Sequence, residues 1–314
     1  MRTGRILYMN HDNPQPSGGV QVIYDHVRHL VRNGYDAYVV HFRSGFKPAW
    51  FNGQIPTLYC DQPFQVSPDD LVVIPEDHAG YLEFFRDVTA RKILFCQNHF
   101  YLFEGLKAGN SLQSLDIAGV MACSDVVADF VRAYLRPLRL QTVHNAVAAC
   151  FSSRTPKKLQ VAYMPRKRPL EANFIKTLCM SLLDPTLAVS WVAIDHVTQD
   201  QAAAIMDESA LFLALNRLEG FGLPPLEAMA SGCLVVGFTG FGASEYATPE
   251  NGVWCDEDDL VGCAQALAQL IQSAAQNDPA VQRMTAAARA TAARYSSRRQ
   301  EQELLSAIQQ LSAP

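Results

Sequence analysis

Short apolar runs at residues 6–9, 37–42, 71–74, 92–96 and 119–123 are each bounded by polar or Gly/Pro residues, with helix-like segments between several of them. A run this short and continuous reads as a strand buried on both faces, as in a parallel sheet covered by its crossover helices. The segment from Gly18 to Gly34 supplies one such helix. Val20, Ile23, Val27, Leu30 and Val31 recur there at helical spacing, and Gly34 stands where a left-handed C-cap belongs. Strand, glycine loop and helix, in that order, open a Rossmann-like half.

The pattern restarts after residue 157, with runs at 160–164, 188–194, 211–215, 234–236 and 252–255 that again alternate with helical stretches. This predicts a second, separately wound parallel sheet. A chain of 314 residues is too long for one ordinary core and suits two α/β domains. Residues 145–158 lose periodicity and carry Ser152-Ser153-Arg154-Thr155-Pro156-Lys157-Lys158, a linker composition. The expected division is 1–150, 151–295, and a terminal segment 296–314 whose helix runs from about Ser297 to Ser312.

A hydrophobic fraction of 49% with 18% charged residues is a globular profile, and no run is long enough to span a bilayer. The net charge of −5 gives no general attraction to nucleic acid, and no local basic patch stands out. The eight cysteines are scattered, without the two-residue spacing of zinc or redox motifs, and read as core residues in a reducing compartment. Met1-Arg2-Thr3-Gly4 leads straight into a strand, with an apolar stretch too short for a signal peptide. A cytoplasmic enzyme is the expectation.

The densest chemistry lies in Glu219-Gly220-Phe221-Gly222-Leu223-Pro224-Pro225-Leu226-Glu227, followed by Ala228-Met229-Ala230-Ser231-Gly232. Two carboxylates bracket a glycine turn and a helix start, so backbone N–H groups and two acceptor side chains converge. Glycines let the main chain approach a ligand closely. Glu227 is expected in the first turn of a helix opened by Pro224-Pro225, where free N–H groups and the dipole favour an anion. Taken alone, Glu227 also reads as a dipole-complementing residue and Glu219 as a solvated loop charge. Arg166-Lys167-Arg168 follows a strand at the end where open α/β sheets bind ligands, although a plain solvated charge run competes. Asp256-Glu257-Asp258-Asp259 precedes an amphipathic helix and reads as N-cap and dipole complement, not as a metal site.

These stretches resemble the retaining glycosyltransferases of the family-four type with the GT-B fold. The resemblance extends to both halves of the chain and implies an α/β architecture of two Rossmann-like, doubly wound parallel-sheet domains facing a cleft. It implies a nucleotide-diphosphate sugar as donor substrate, no separate cofactor and no metal. Glu227 would accept both hydroxyls of a ribose diol, while Glu219 and the turn Gly220, Phe221, Gly222 and Leu223 would hold the donor. Arg166, Lys167 and Arg168 would face the diphosphate; the family's following Lys-Gly is missing, so which of the three does so is open. Ser17-Gly18-Gly19 resembles the family's Gly-Gly loop, where Gly18 and Gly19 face the diphosphate or reacting sugar. In Cys96-Gln97-Asn98-His99, His99 is placed beside the donor sugar, with Asn98 as the alternate, and Glu76 is a candidate on the acceptor side. Asn145 and Glu245 match structural positions, and the terminal helix is expected to pack back on the first domain.

The function so implied is sugar transfer to an acceptor hydroxyl on a glycan, a lipid-linked molecule or a small molecule. An epimerase or hydrolase on the same scaffold, and a non-catalytic GT-B partner subunit, are the competing readings. Residues 125–139, with Val126, Val127, Phe130 and Leu135 against Arg132, Arg136 and Arg139, suit either a core helix or peripheral contact with an anionic membrane face.

Overall fold

The computed structural model describes residues 4–51 and 53–313; Met1 to Thr3, read as leading into a strand, lie outside them. The chain divides into two units, one made of residues through Asn145 with those from Arg298 onward, the other Ala146–Ser297.

The first unit runs β1 (Ile6–Met9), α1 (Gly18–Arg32), β2 (Ala37–His41), β3 (Thr57–Tyr59), β4 (Leu71–Pro75), α2 (Ala79–Phe84), β5 (Arg91–Cys96), α3 (Leu102–Gly105), β6 (Ile117–Ala122), α4 (Asp125–Tyr134) and β7 (Leu140–Thr142). Its seven parallel strands lie in the order β3-β2-β1-β4-β5-β6-β7. All residues of β1 and β4 are buried, which is why both read as unbroken apolar runs. The edge strands β3 and β7 have three half-buried residues each and leave no such run, so periodicity did not reveal them. The Ser17 hydroxyl caps α1 by accepting from Val20 N at 3.5 Å, and Gly34 takes φ +81° just beyond it. Helix α4 buries Val127, Ala128 and Val131, the behaviour of a core helix, while Tyr134 and Leu138 stay exposed.

The second unit runs β8 (Lys158–Tyr163), α5 (Pro169–Leu182), β9 (Ser190–Ala193), α6 (Gln199–Glu208), β10 (Ser209–Leu215), α7 (Leu223–Ala230), β11 (Leu234–Phe238), β12 (Val253–Cys255), α8 (Leu260–Ala275) and α9 (Pro279–Ala293). Its five parallel strands lie in the order β12-β11-β10-β8-β9. Ala172, Ile175 and Cys179 of α5 and Cys263, Leu267 and Ile271 of α8 share one core cluster with the strand residues Val161, Leu211, Leu213 and Val236. Gly237 shows how close the strands come: a Cβ there would stand 2.2 Å from the Ala214 carbonyl oxygen.

The last helix, α10 (Ser297–Ser312), belongs to the first unit from Arg298 onward. It buries Leu304, Ala307, Ile308 and Leu311. Leu311 lies where a side chain on Gly119 of β6 would be, 2.6 Å from its ideal Cβ position. Arg139 donates to the Gln310 carbonyl at 3.2 Å, and the Glu303 carboxylate accepts from His144 N at 2.8 Å. Burial of Leu304, Ile308 and Leu311 is worth about 5–9 kcal/mol gross.

Candidate functional site

In the second sheet β10 lies beside β8, while β9 lies on the other side of β8, so the direction of winding reverses between β8 and β10. Open α/β sheets bind ligands outside the carboxyl ends of the strands at such a point. The two loops that leave there carry Arg166-Lys167-Arg168 and the segment from Asn216 to Gly222.

The three cations are placed differently. Arg166, on a short 3-10 turn, is exposed, and no described residue pairs with it. Lys167 is half-buried; its Nζ lies 2.8 Å from Glu219 Oε1 and donates to the Arg217 carbonyl at 3.2 Å. Arg168 is only 2% exposed. Its Nε donates to the Asn216 carbonyl at 3.0 Å, and its terminal nitrogens donate to Asp258 and Glu257 at 2.6 Å each, with the guanidinium 4.5 Å from the Phe238 ring centroid. All three guanidinium nitrogens are thus engaged within the unit.

Glu257 extends this network. Its other carboxylate oxygen accepts from Gly240 N at 2.7 Å, and the Gly240 carbonyl accepts from Glu219 N at 2.8 Å. The acidic run 256–259 therefore does more than open α8. Asp259 is the N-cap, accepting from Gly262 N at 2.9 Å, whereas Glu257 and Asp258 hold Arg168. Sequence spacing gave no sign of this, because the partners are about 90 residues apart.

The glycine turn is tightly built. Gly220, Phe221 and Gly222 are buried, and Gly222 has φ +84°, with an ideal Cβ 2.8 Å from Asn216 Nδ2. Tyr246 OH donates to the Gly222 carbonyl, and Phe221 packs edge-on to Tyr246 and Tyr295, with centroids 5.8 and 5.3 Å away. Phe221 is thus a wedge beneath the turn. Helix α7 starts at Leu223, so Glu227 is its fifth residue and the first turn contains no acid. The expectation of Glu227 in the first turn is corrected: left-handed Gly222 fixes the helix start, and Glu227 lies one turn further along. With prolines at the second and third positions, those two residues offer no backbone donor at the helix start.

Glu227 is half-buried, and no described residue donates to its carboxylate. Burial pushes its pKa up to about 7. A partly dry carboxylate with unused lone pairs is suited to accept two hydroxyl hydrogens.

In the first unit, Gly18 and Gly19 open α1; Gly18 is exposed, and the Gly19 carbonyl accepts from Gln97 Nε2 at 3.2 Å. His99 follows β5 and is buried, with ring centroids 4.1 Å from Phe100 and 4.8 Å from Phe130. Burial holds its pKa down, and its Nδ1 has no partner among the described residues. Glu76, after β4, is buried and accepts from Asn98 N at 2.6 Å; burial, then the charge of Asp77, push it up to about 8.

Residues 190–291 match the family model for Glycosyl transferases group 1, a stretch that contains both Glu219 and Glu227. The chain is 26% identical over 287 residues to the alpha-1,6-glucosyltransferase of Actinobacillus pleuropneumoniae serotype 7 (strain AP76), covering 84% of this chain and 83% of that relative. The chain is a glycosyltransferase. The transferase is also similar in fold to Anabaena HepE in complex with UDP-glucose, at a TM-score of 0.73 and 16% identity, over 98% of this chain and 99% of that one. A mutant of S. aureus TarM, solved with Fondaparinux, alpha-GlcNAc-glycerol and UDP, matches at a TM-score of 0.59 and 17% identity over 79% of this chain. This chain spans 56% of that TarM chain. The likeness to both establishes the two-sheet α/β architecture as that of GT-B proteins. Among the described residues no helix is long and apolar enough to cross a membrane.

Proposed function

We propose that this glycosyltransferase moves a hexose, glucose in the first instance, from a uridine diphosphate donor to an acceptor hydroxyl, with retention at the anomeric carbon and without a metal ion. The observation that carries the donor reading is Glu227: a half-buried carboxylate, unpartnered among the described residues, on the helix that follows the strand-switch loop. A ribose diol supplies the two donors it lacks. The relatives support the choice of donor, since HepE is described with UDP-glucose and the Actinobacillus relative is an alpha-1,6-glucosyltransferase.

Departure of the nucleoside diphosphate places new negative charge on the β-phosphate. Exposed Arg166 and half-buried Lys167 are the cations of this loop open to it, whereas Arg168 is committed to Glu257 and Asp258. Fixed cations in a partly dry site stabilise that charge in the transition state more than in the ground state, which is what lowers the barrier. Glu219, paired with Lys167 at 2.8 Å, then holds donor-sugar hydroxyls and keeps Lys167 in place. Gly18, Gly19 and His99 take the roles that the family resemblance gives them.

Incubation with UDP-glucose and a glucan acceptor, with and without EDTA, tests the reading by mass spectrometry and by the anomeric proton coupling of the product. An α-linked product at equal rates in both arms supports it. Release of free glucose alone would point to a hydrolase, and absence of binding to UDP, GDP and dTDP alike in calorimetry would favour a non-catalytic scaffold.

A further inference from the structure

The first unit has its own strand-switch point, between β1 and β4. The loops leaving β2, β1 and β4 gather there a polar and aromatic cluster outside the residues proposed to bind the donor. His11 Nε2 lies 2.8 Å from Asp77 Oδ1, with each side chain about a third exposed. The Asp77 bond holds the His11 pKa above the ordinary histidine range; burial, the largest single influence on Asp77, would raise it, but the His11 bond and charge, the Asp77 backbone N–H and the charge of His78 together draw it down. The result is a hydrogen-bonded, part-exposed His11–Asp77 pair at this end of the sheet.

Beside it stands an aromatic plate. Phe42 lies parallel to Tyr81, at 3° and 4.6 Å between centroids, and 5.2 Å from His78, yet remains 39% exposed. Tyr81 is buried and donates to the Asn10 carbonyl at 3.0 Å; His78 sits 4.0 Å from Tyr81 and 5.0 Å from the His11 ring. The backbone of Phe42 is held as well, since its N–H donates to Asp12 Oδ1 at 3.1 Å, an oxygen that also faces His41 Nδ1 at 2.9 Å. An exposed ring fixed from behind and below offers a rigid face to a ligand. Fully buried Asn10, at the end of β1, leaves its Nδ2 donor without a partner among the described residues.

We propose that this cluster is the subsite for one pyranose ring of a carbohydrate acceptor, with the C–H face of the sugar on Phe42 and its hydroxyls on Asp77 and His11. An aromatic face is negative and attracts the weakly positive C–H groups of a sugar ring. A carboxylate accepts only, so the lone pairs of Asp77 not used by His11 call for hydroxyl donors, while the second ring nitrogen of His11 can pair with a hydroxyl, which donates or accepts as the tautomer requires. A purely apolar ligand would leave the remaining lone pairs of Asp77 unsatisfied. A phosphate would meet Asp12 and Asp77, and Arg43 nearby is already paired with Asp12 at 3.2 Å. A neutral polyol with one apolar face fits both halves of the cluster.

This subsite gives the acceptor a chemical class and rests on the transferase reading, so its test keeps the two apart. The full chain, with and without UDP, is examined by saturation-transfer NMR with methyl α- and β-glucopyranoside, methyl α-galactopyranoside and isomaltotriose. Ring-proton saturation of at least one probe is expected in the wild type. Phe42→Leu, which keeps an apolar cover on Tyr81 but removes the aromatic face, and Asp77→Asn, which keeps the shape without the charge, should each reduce it at least fivefold. UDP affinity should change less than twofold in both. No saturation of any probe in the wild type, or saturation undiminished in both variants, overturns the subsite. Loss of UDP binding in the wild type would instead overturn the donor reading, and the UDP-free arm judges the subsite separately.

Discussion

Two glutamates eight positions apart turn out to be different chemical objects. Glu219 is paired with Lys167 at 2.8 Å, whereas Glu227 has no described donor and is pushed up to about 7 by burial. If Glu227 binds the ribose as a carboxylate, donor binding must release a proton below that pH. UDP-glucose affinity should therefore fall as pH drops through about 7, approaching tenfold per unit, a dependence that the donor's own diphosphate diester does not supply. Glu227→Gln should flatten this profile and weaken binding about 10- to 150-fold, a net loss of about 1.5–3 kcal/mol of charge-assisted hydrogen bonding, read by calorimetry. The sign for stability is opposite. A folded-state pKa raised above the unfolded value means ionisation opposes folding, increasingly as pH rises from about 4.5 to 7. Glu227→Gln should melt higher than wild type at pH 8 and equally at pH 4. Both carboxylates were visible in the sequence; their different states were not, because ionisation depends on neighbours that tertiary contact supplies.

Loops and helix starts show the same division. Gly-Phe-Gly-Leu-Pro-Pro announced a turn into a helix, and α7 begins there. Which conformation Gly222 needs is decided by Asn216 and Tyr246 around it. Gly222→Ala should cost at least about 1–2 kcal/mol from the left-handed backbone alone, with a further loss as Asn216 is displaced, and thermal melting should show it. The basic run after β8 was legible only as three equivalent charges. Folding separates them by fixing Arg168 between the loops after β10 and β12. Arg168→Ala leaves the half-buried Glu257 without its cation and should destabilise the chain by about 3 kcal/mol in urea unfolding. Lys167→Ala, at a more open pair, should cost less than about 1 kcal/mol and act mainly on UDP affinity.

At the scale of the whole molecule, the chain returns to its first unit at the end. Truncation after Ser297 removes Leu304, Ile308 and Leu311 from that unit and uncovers the surface at Gly119. Hydrogen exchange should then accelerate in β6 and β7, while β10 and β11 in the second unit keep their protection. Equal loss of protection in both sheets would contradict the assignment of α10 to the first unit.

By itself the sequence determined the class of fold and marked out a candidate site. Strands buried on both faces must be continuously apolar, and helices between them must be amphipathic, so two α/β sheets were readable from local pattern. The glycines and the two glutamates were equally visible, because close backbone approach and paired acceptors need particular residue types. Only the tertiary structure decided that Arg168 is an internal staple, that Glu227 is an acid without a donor among the described residues and lies beyond the first turn of α7, and that His11, Phe42 and Asp77 gather at one strand-switch point. Those properties come from groups about 30 to 90 residues apart, whose distances and hydration exist only once the sheets are wound.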